Sequence, residues 1–403
     1  MRLHLLILLI VGLLAQPAMA QSRKAQERKF RTWLAQTIWP QAQSSGVSRA
    51  VFDAALGSVT LDWSLPGTKD KPFKQAEFGD PARYFTRSQL QSTTAQGTSM
   101  ARRHNSALAR AAQTSGVPGH ILLGIWGRES GFGKVAIRSD VFRVLATHGF
   151  MGRMPENAQK ELLAALRIAQ SGKAKVSAMK SNWAGALGQP QFLPSSFEKF
   201  ARDGDGDGRA DIWRSEADSL ASIGEYLRHH GWNGSRDWGF EVRLPSDMSC
   251  TLEGPDLARP IRNWVDMGVA RVSGRPFPAA ELSQKGSLLL PAGRDGPAFI
   301  VTPNFYVLKV YNESDLYALF VGHVGDRIAY GSSDFTGRWP GVDKIKRADI
   351  AKMQKRLEAK GHDVGGADGL VGFKTRRSIG RWQEANGLRG TCWPDRGLVK
   401  KVR

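Results

Sequence analysis

Residues 121–133 read Ile121-Leu-Leu-Gly-Ile-Trp-Gly-Arg-Glu129-Ser-Gly-Phe-Gly133, and they carry the clearest signal in this chain of 403 residues. A single carboxylate closes an apolar run and is followed at once by a glycine-containing turn. Ile125 and Trp126 form an apolar helical face, and Glu129 falls on that face four residues after Ile125. The pattern predicts a buried helix with one acidic group at its C-terminal end.

Both ends of this helix are marked in the sequence. Pro118 suits the first turn, Ser115 is the candidate cap, and Gly131 ends the helix. A carboxyl group at a helix C-terminus, beside Trp126 and Phe132, is expected to have a raised pKa. Such a group can stay protonated and give its proton to a leaving group. From these residues alone, a surface glutamate at a helix end is the alternative.

The first twenty residues have the three parts of an export signal. Arg2 supplies the positive start, an apolar core runs from Leu5 to Leu14, and Ala18-Met-Ala20 is a small-residue cleavage site. That core is too short to span a bilayer. We therefore expect cleavage after Ala20 and a periplasmic mature protein with no transmembrane segment.

The net positive charge of the chain indicates which class of partner it binds. Lys and Arg number 57 against 37 Asp and Glu, which gives a formal net charge of +20. This excess favours a polyanionic partner. Outside the cytoplasm the candidates are the cell wall, with its peptide carboxylates, and anionic lipid headgroups, whereas nucleic acid is not an expected partner.

The residue pattern separates a large region from a small tail. Helical periodicity dominates up to about residue 230, with a loop at 61–80, and short apolar runs then predict strands at 240–244, 298–302 and 305–311. The clearest helices of the tail are 350–360 and 375–386, in a module within the size of independently folding domains. We assign 1–20 to the signal peptide, 25–335 to the main domain, 336–346 to a linker and 347–403 to the tail.

The chain has two cysteines, Cys250 and Cys392, in an exported and therefore oxidising setting. One disulfide would tie the tail to the main body. Two unpaired thiols are the alternative, because sequence alone does not supply the geometry of the bond.

A second informative stretch runs from Asn182 to Phe197 and reads Asn182-Trp-Ala-Gly-Ala-Leu-Gly-Gln-Pro-Gln191 at its start. Its small residues allow close backbone approach, and Gln191 offers an amide to a polar ligand. A turn used only for packing is the alternative.

The third stretch, residues 203–213, follows the pattern of a calcium-binding loop. Asp203, Asp205, Asp207 and Asp211 occupy loop positions 1, 3, 5 and 9, with glycine at position 6. Position 12 is Arg214 instead of the usual glutamate, so Glu216 or Asp218 must complete the ligand set. Acidic groups this close repel one another without a cation, which favours a structural calcium over a solvated acidic turn.

The fourth stretch is Tyr311-Asn312-Glu-Ser-Asp315-Leu-Tyr317. Tyrosine rings can stack on sugar rings, and Asn312 can hydrogen-bond an amide or hydroxyl. The alternative is the end of a strand that caps the next helix. Neither a Ser-His-Asp spacing nor a nucleotide-binding glycine loop stands out, zinc-ligand spacing is absent, and His229-His230 is interpreted as a helix surface pair.

The four stretches occur in the order known from one family. Over roughly residues 25–325 the chain resembles the soluble type of the membrane-bound lytic murein transglycosylase B family, glycoside hydrolase family 103. The match is strongest at Glu129-Ser-Gly-Phe-Gly133, at 184–196, at the acidic loop and at Tyr311-Asn312. The tail resembles the first type of peptidoglycan-binding domain, through motifs that include Asp368-Gly369 and Trp382-Gln383.

The resemblance implies a mainly α-helical, lysozyme-like catalytic domain with a small β-containing subdomain, followed by a small helical peptidoglycan-binding domain. It implies cleavage of the MurNAc–GlcNAc bond without water, with 1,6-anhydro-MurNAc as the new end. Glu129 matches the family's catalytic carboxylate, which acts first as acid and then as base. The residues that match the glycan cleft are Asn182, Gln191, Tyr226, Tyr311, Asn312 and Tyr317. The matching ligands of a structural calcium are Asp203, Asp205, Asp207, the Arg209 carbonyl and Asp218.

The chain departs from the family at two points. Asn182 stands where a serine is expected, and the mature N-terminus lacks the cysteine that is lipidated in anchored members. We expect a monomer that uses no organic cofactor, and we expect catalysis of soluble glycan without the tail. The alternatives are a muramidase that uses water and a non-catalytic wall-binding protein.

Overall fold

The computed structural model describes residues 21–68, 80–341 and 343–402. The expected signal peptide lies outside these residues, as does the 69–79 part of the expected loop at 61–80. The chain forms two compact units, Met1–Lys74 with Gly133–Ser222 and Gln75–Phe132 with Ile223–Arg403. Among the described residues, no helix is both long and apolar enough to cross a membrane.

The first unit is helical, with one two-stranded ribbon. Strand Ser139–Asp140 pairs antiparallel with Lys180–Ser181. Its helical segments are 21–33, the π-helix Leu34–Ile38, Trp39–Ser44, Arg49–Leu56, Val141–Met151, Pro155–Gln170, the short 3₁₀ turn Val176–Ala178, Pro194–Phe200 and the part of Glu216–His229 up to Ser222.

The second unit joins a helical group to a five-stranded antiparallel sheet. The strands lie in the order Arg259–Pro260, Lys285–Leu289, Ala298–Val301, Gly239–Arg243 and Ala270–Arg271. The remaining helices are Pro81–Phe85, Arg87–Arg103, Asn105–Ser115, Gly119–Ser130, the rest of Glu216–His229, Cys250–Leu252, Pro255–Leu257, Ile261–Asp266, Ala279–Leu282, Pro303–Asn312, Asp315–Tyr330, Arg347–Ala359, Phe373–Ala385 and Arg396–Lys401.

The predicted strand at 305–311 is wrong, because this segment is the helix Pro303–Asn312. Its aromatic and β-branched residues favour a strand by propensity. The residues at the start of the segment favour a helix instead. Thr302 accepts a hydrogen bond from the Asn304 amide as N-cap, and Pro303 occupies the first turn, where its missing N–H costs nothing. Tyr311-Asn312 therefore ends a helix and not a strand.

The helix that carries Glu129 spans Gly119–Ser130, and its predicted N-terminal cap is wrong. Ser115 ends the preceding helix instead. Its hydroxyl donates to the Ala111 carbonyl at 2.6 Å and accepts from the Val117 amide at 3.1 Å. Pro118 is the N-cap residue, just before the first turn. The C-terminal prediction is confirmed, since Gly131 has a left-handed φ of 57°.

This Glu129 helix packs closely against the helix Asp315–Tyr330. A Cβ atom at Gly124 would lie only 2.6 Å from the Val321 carbonyl oxygen, so the contact requires glycine at this position. The packing brings the C-terminal end of one helix beside the first turn of the other. It is this arrangement that places Glu129 next to Tyr317.

The tail has its own apolar core and a covalent bond to the rest of the second unit. The core side chains are Ile350, Met353, Leu357, Val364, Ile379, Leu398 and Val402. Cys250 and Cys392 form a disulfide with a Cα–Cα distance of 6.1 Å. Both half-cystines are fully buried in an apolar cluster with Trp264 and Leu290 of the sheet region. Of the two alternatives left open for the cysteines, the disulfide is the one observed.

Candidate active site

Glu129 lies in the last turn of its helix and is partly buried. The Tyr317 hydroxyl donates a hydrogen bond to Glu129 Oε1 at 2.5 Å. Tyr317 is 1% exposed, and its backbone amide is held in turn by the hydroxyl of Ser314, the N-cap of its helix. The carboxylate therefore has a rigid donor fixed from a neighbouring helix.

Two more tyrosines extend this group. The Tyr311 ring stacks on Tyr317, with centroids 6.2 Å apart and an interplanar angle of 12°. The Tyr226 ring lies 4.8 Å from Tyr311, and its hydroxyl donates to the Val310 carbonyl at 3.3 Å. The structure thus brings together four of the predicted residues: Glu129, Tyr226, Tyr311 and Tyr317.

Burial raises the pKa of the Tyr317 and Tyr311 hydroxyls well above the usual tyrosine value, and the negative charge of Glu129 raises both further. Burial also raises the pKa of Tyr226, with a smaller effect from Glu313. These hydroxyls therefore stay protonated near neutral pH. A protonated Tyr317 can act as a hydrogen-bond donor to the carboxylate and not as a base.

Asn312 is the last residue of its helix and is exposed to solvent. The next residue, Glu313, has a left-handed φ of 41°, which is uncommon for a residue with a side chain. The two helices that carry Tyr311 and Tyr317 are therefore joined by a short, strained connection.

Asn182 and Gln191 belong to the first unit and pair with each other. Asn182 Nδ2 donates to Gln191 Oε1 at 2.8 Å, and Gln191 Nε2 donates to the Gly188 carbonyl at 2.8 Å. Asn182 Oδ1 accepts from the amides of Ala184 and Ala186. The sequence identified both residues but did not predict this pairing across nine positions. Gln191 has a left-handed φ of 57°, a strain often found at functional positions.

The acidic loop of the first unit gathers three carboxylates. Oxygen atoms of Asp203, Asp205 and Asp218 all lie within 4.8 Å of one another. Of the two residues considered for closing the ligand set, it is Asp218 that joins this group. Asp207 and Arg209 lie in the same loop, where Asp207 Oδ1 accepts from the Arg209 amide at 2.9 Å.

Asp211 has a different role from the one its loop position predicts. Its carboxylate accepts from the amides of Trp213 and Arg214, both at 3.1 Å, and so holds the turn that leads to the next helix. Burial raises the pKa of Asp218, and the nearby charge of Asp205 adds to this effect. Hydrogen bonds from the Gly206 and Gly208 amides hold the pKa of Asp203 below its usual value. The loop thus keeps Asp203 ionised beside a buried carboxyl.

Two family models match the chain. Residues 29–326 match the transglycosylase SLT domain, and residues 346–400 match the peptidoglycan-binding domain. The first match covers more than half of the chain.

Individual relatives agree with these matches. The chain is 29% identical over 272 residues to membrane-bound lytic murein transglycosylase B of Escherichia coli, over 67% of this chain and 73% of that protein. It is similar to SltB3 of Pseudomonas aeruginosa, solved in complex with NAG-anhNAM-pentapeptide. That match has 35% identity and a TM-score of 0.83, and it covers 93% of this chain and 99% of that one. The Escherichia coli lytic transglycosylase Slt35, solved in complex with calcium, matches with 26% identity and a TM-score of 0.59. This match covers 76% of this chain and 93% of that one.

These findings confirm the mainly α-helical, lysozyme-like fold with a small sheet and a helical tail. They also agree with the order of motifs from which the resemblance was inferred. The chain therefore belongs to the transglycosylase SLT domain family, as a lytic murein transglycosylase of the B type with a C-terminal peptidoglycan-binding domain.

Proposed function

We propose that this enzyme cleaves the MurNAc–GlcNAc bond of peptidoglycan without water and that Glu129 is its acid and its base. The observation that carries the proposal is the position of Glu129 at the end of a buried helix, held by the Tyr317 hydroxyl at 2.5 Å. A carboxyl group fixed by one rigid donor can exchange a proton twice in one cycle without changing its place.

The reaction balances with a single carboxyl group. Glu129 starts protonated and gives its proton to the glycosidic oxygen as the bond from that oxygen to C1 of the muramoyl sugar breaks. The N-acetyl group of the same sugar stabilises C1 from the opposite face. The Glu129 carboxylate then takes the proton of the muramoyl 6-hydroxyl, whose oxygen forms the new bond to C1. The carboxyl group is restored, and the product has a 1,6-anhydro end.

The part assigned to Tyr317 is to orient the carboxyl group. Its hydrogen bond favours the ionised form of Glu129, which is the form needed after the first proton transfer. Because burial keeps the tyrosine protonated, this donor is present throughout the cycle. Tyr311 and Tyr226 continue the aromatic surface beside it and are proposed to contact the sugar rings.

Asn312, Gln191 and Asn182 are proposed to bind the glycan through their amide groups. In Gln191 and Asn182 these groups are held in place by their mutual hydrogen bond and by the surrounding backbone. A pre-oriented amide loses little conformational freedom when it binds a sugar hydroxyl or N-acetyl group. The assignment of these three residues follows from the family resemblance.

A structural calcium ion is proposed for the acidic loop. The three gathered carboxylates supply the hard oxygen ligands that calcium prefers, and Asp207 and the Arg209 carbonyl complete the expected set. Like charges so close together are costly without a cation. The bound ion would tie the loop to the first turn of helix Glu216–His229.

We place the enzyme in the periplasm, after removal of residues 1–20, with 25–335 as the catalytic domain, 336–346 as the linker and 347–403 as the wall-binding domain. Its basic charge suits a substrate that carries peptide carboxylates. The protein is expected to act as a monomer on glycan strands.

The test of this function is the variant Glu129→Gln, which preserves the shape of the side chain but removes its proton exchange. Purified sacculi are incubated with the wild-type enzyme and with the variant, and soluble muropeptides are measured by mass spectrometry. We expect anhydro ends from the wild type and a loss of release of at least about 100-fold in the variant. Free reducing ends would indicate a hydrolase instead, and equal release by the variant would remove Glu129 from the mechanism.

A further inference from the structure

The tail of the second unit is fastened to the catalytic region by more than the disulfide. Arg376 and Arg377, neighbours on the tail helix Phe373–Ala385, both reach acidic residues outside the tail. Arg377 binds Asp256 with two hydrogen bonds of 2.7 and 2.8 Å. Arg376 makes a more extensive set of contacts, because it joins two separate carboxylates.

The Arg376 guanidinium is 3% exposed and bridges Glu253 and Asp315. Its Nη2 atom donates to Glu253 Oε1 at 2.6 Å and to Asp315 Oδ2 at 3.1 Å, and its Nε atom also donates to Glu253. Glu253 is itself 1% exposed. A planar guanidinium fits such a bridge, whereas an ammonium group cannot reproduce its fixed pair of donors.

Asp315 is the first residue of the helix that carries Tyr317, which we call the Tyr317 helix. Its other oxygen accepts from Lys309 Nζ at 2.7 Å, and Lys309 lies on the preceding helix, Pro303–Asn312, which carries Tyr311. Burial alone would raise the pKa of Asp315, but the charges of Arg376 and Lys309 outweigh it and hold the pKa below the usual value. Asp315 is therefore ionised and binds both cations.

Asp315 and its partner Lys309 lie on the two sides of the strained connection at Glu313. On one side lies the helix of Tyr311, and on the other lies the helix whose Tyr317 donates to Glu129. A left-handed residue with a side chain is strained and persists only when its surroundings hold it. Lys309 and Asp315 join the two helices, and Arg376 is the group that anchors them from the tail.

We propose that Arg376 is a positioning residue of the active site, through which the peptidoglycan-binding tail holds Tyr311 and Tyr317 in their places beside Glu129. The inference rests on the proposed role of Glu129. It implies that the tail is a part of the catalytic unit as well as a wall-binding module. It predicts, in contrast to the expectation from sequence, that catalysis of soluble glycan depends on the tail.

The experiment compares Arg376→Met with the matched control Arg377→Met in the full-length, disulfide-bonded chain. Arg377 is adjacent, buried and bound to the catalytic region, but its carboxylate partner is Asp256 and not Asp315. Rates are measured on a soluble glycan fragment, so that affinity for the sacculus does not enter. The concentration of folded enzyme is set by circular dichroism at the assay temperature.

For Arg376→Met we expect kcat to fall about 10- to 100-fold, because a small displacement of a catalytic group has an effect of this size. KM should rise as well, since Tyr311 is proposed to contact the sugar rings. The loss of activity on the alkaline side of the pH profile, its falling limb, should also move to higher pH. A displaced Tyr317 no longer favours the ionised form of the Glu129 carboxyl, which therefore loses its proton at a higher pH. Tyr311 and Arg128, whose charges also act on the Tyr317 hydroxyl, are not substituted in either variant. Arg377→Met should keep the wild-type kcat and pH profile.

If Arg376→Met does not fold, the variant Asp315→Asn is measured instead. This substitution leaves the Arg376–Glu253 pair and the disulfide in place. It should show the same fall in kcat and the same direction of pH shift. Wild-type kcat and pH profile in a folded Arg376→Met or Asp315→Asn variant would overturn the inference, as would an equal effect in Arg377→Met. These outcomes are separate from failure of the proposed function, which is seen as activity in Glu129→Gln.

Discussion

Replacing both half-cystines, as Cys250→Ala with Cys392→Ala, should lower the free energy of unfolding of the second unit by about 3 to 5 kcal/mol. The bond joins residues that are 142 positions apart. In the chain-entropy account, closing a loop of this length removes about 17 cal/mol/K from the unfolded chain, which is about 5 kcal/mol at 25 °C. The lower end of the expected range, about 3 kcal/mol, allows for structure that persists in the unfolded state.

The assay is equilibrium unfolding in urea, followed by tryptophan fluorescence, on the full-length protein. The control is Arg389→Ala, which removes an exposed ion pair with Asp295 from the same boundary of the tail. This control should change the free energy of unfolding by no more than about 1 kcal/mol. Wild-type protein that is unfolded, reduced and refolded under reducing conditions should match the double variant.

The tail is expected to unfold together with the region to which it is bonded. The buried Arg376–Glu253 pair supports this, because separating the two would leave the buried Glu253 carboxylate without its cation. An unchanged free energy of unfolding in the double variant would refute the reasoning. So would two separate transitions in the wild type, with only the weaker one affected by the substitutions.

Three further predictions follow from individual side chains. Tyr317→Phe should lower kcat about tenfold and move the falling limb of the pH profile upward, because the donor to the ionised Glu129 is lost; an unshifted profile measured on soluble glycan would contradict this. Calcium should raise the melting temperature of the wild type but not of Asp218→Asn, and equal increases in calorimetry would argue against the acidic loop as its site. Burial raises the pKa of Asp326 to about 7, so the native state keeps a proton that the unfolded state has lost, and stability should fall as pH rises from about 4 to 7. Asp326→Asn should remove that part of the fall in thermal melts, and an identical pH dependence would exclude this carboxyl as its cause.

The sequence was sufficient where the signal is local. The helix of Glu129 could be predicted because its apolar positions recur at helical spacing and because Gly131 takes the left-handed conformation that ends a helix. The acidic loop could be predicted because its residues are close together in the chain. The fold class and the family followed from the order of such local motifs.

The strand predicted at 305–311 failed because propensity and capping conflict there. Residues such as Val307 and Val310 favour a strand, yet Thr302 and Pro303 begin a helix and the resulting apolar face is buried with Phe305 and Leu308. A correct prediction would have needed the capping signal to be weighed above the residue preferences.

Contacts between residues that are far apart in the chain could not be predicted from the sequence. Nothing in the local pattern joins Arg376 to Asp315, 61 positions earlier, or Tyr317 to Glu129, 188 positions earlier. The two cysteines left their pairing open for the same reason. These contacts depend on how the helices pack, and they are the ones that connect the tail to the active site.

The most direct measurement of the central claim is digestion of sacculi by the wild-type enzyme in water enriched in oxygen-18, with mass spectrometry of the muropeptides released. If Glu129 first protonates the leaving oxygen and then takes the proton of the 6-hydroxyl, the new ends are 1,6-anhydro sugars and contain no oxygen-18. New reducing ends that carry the isotope would show that water attacks C1, and would contradict the account.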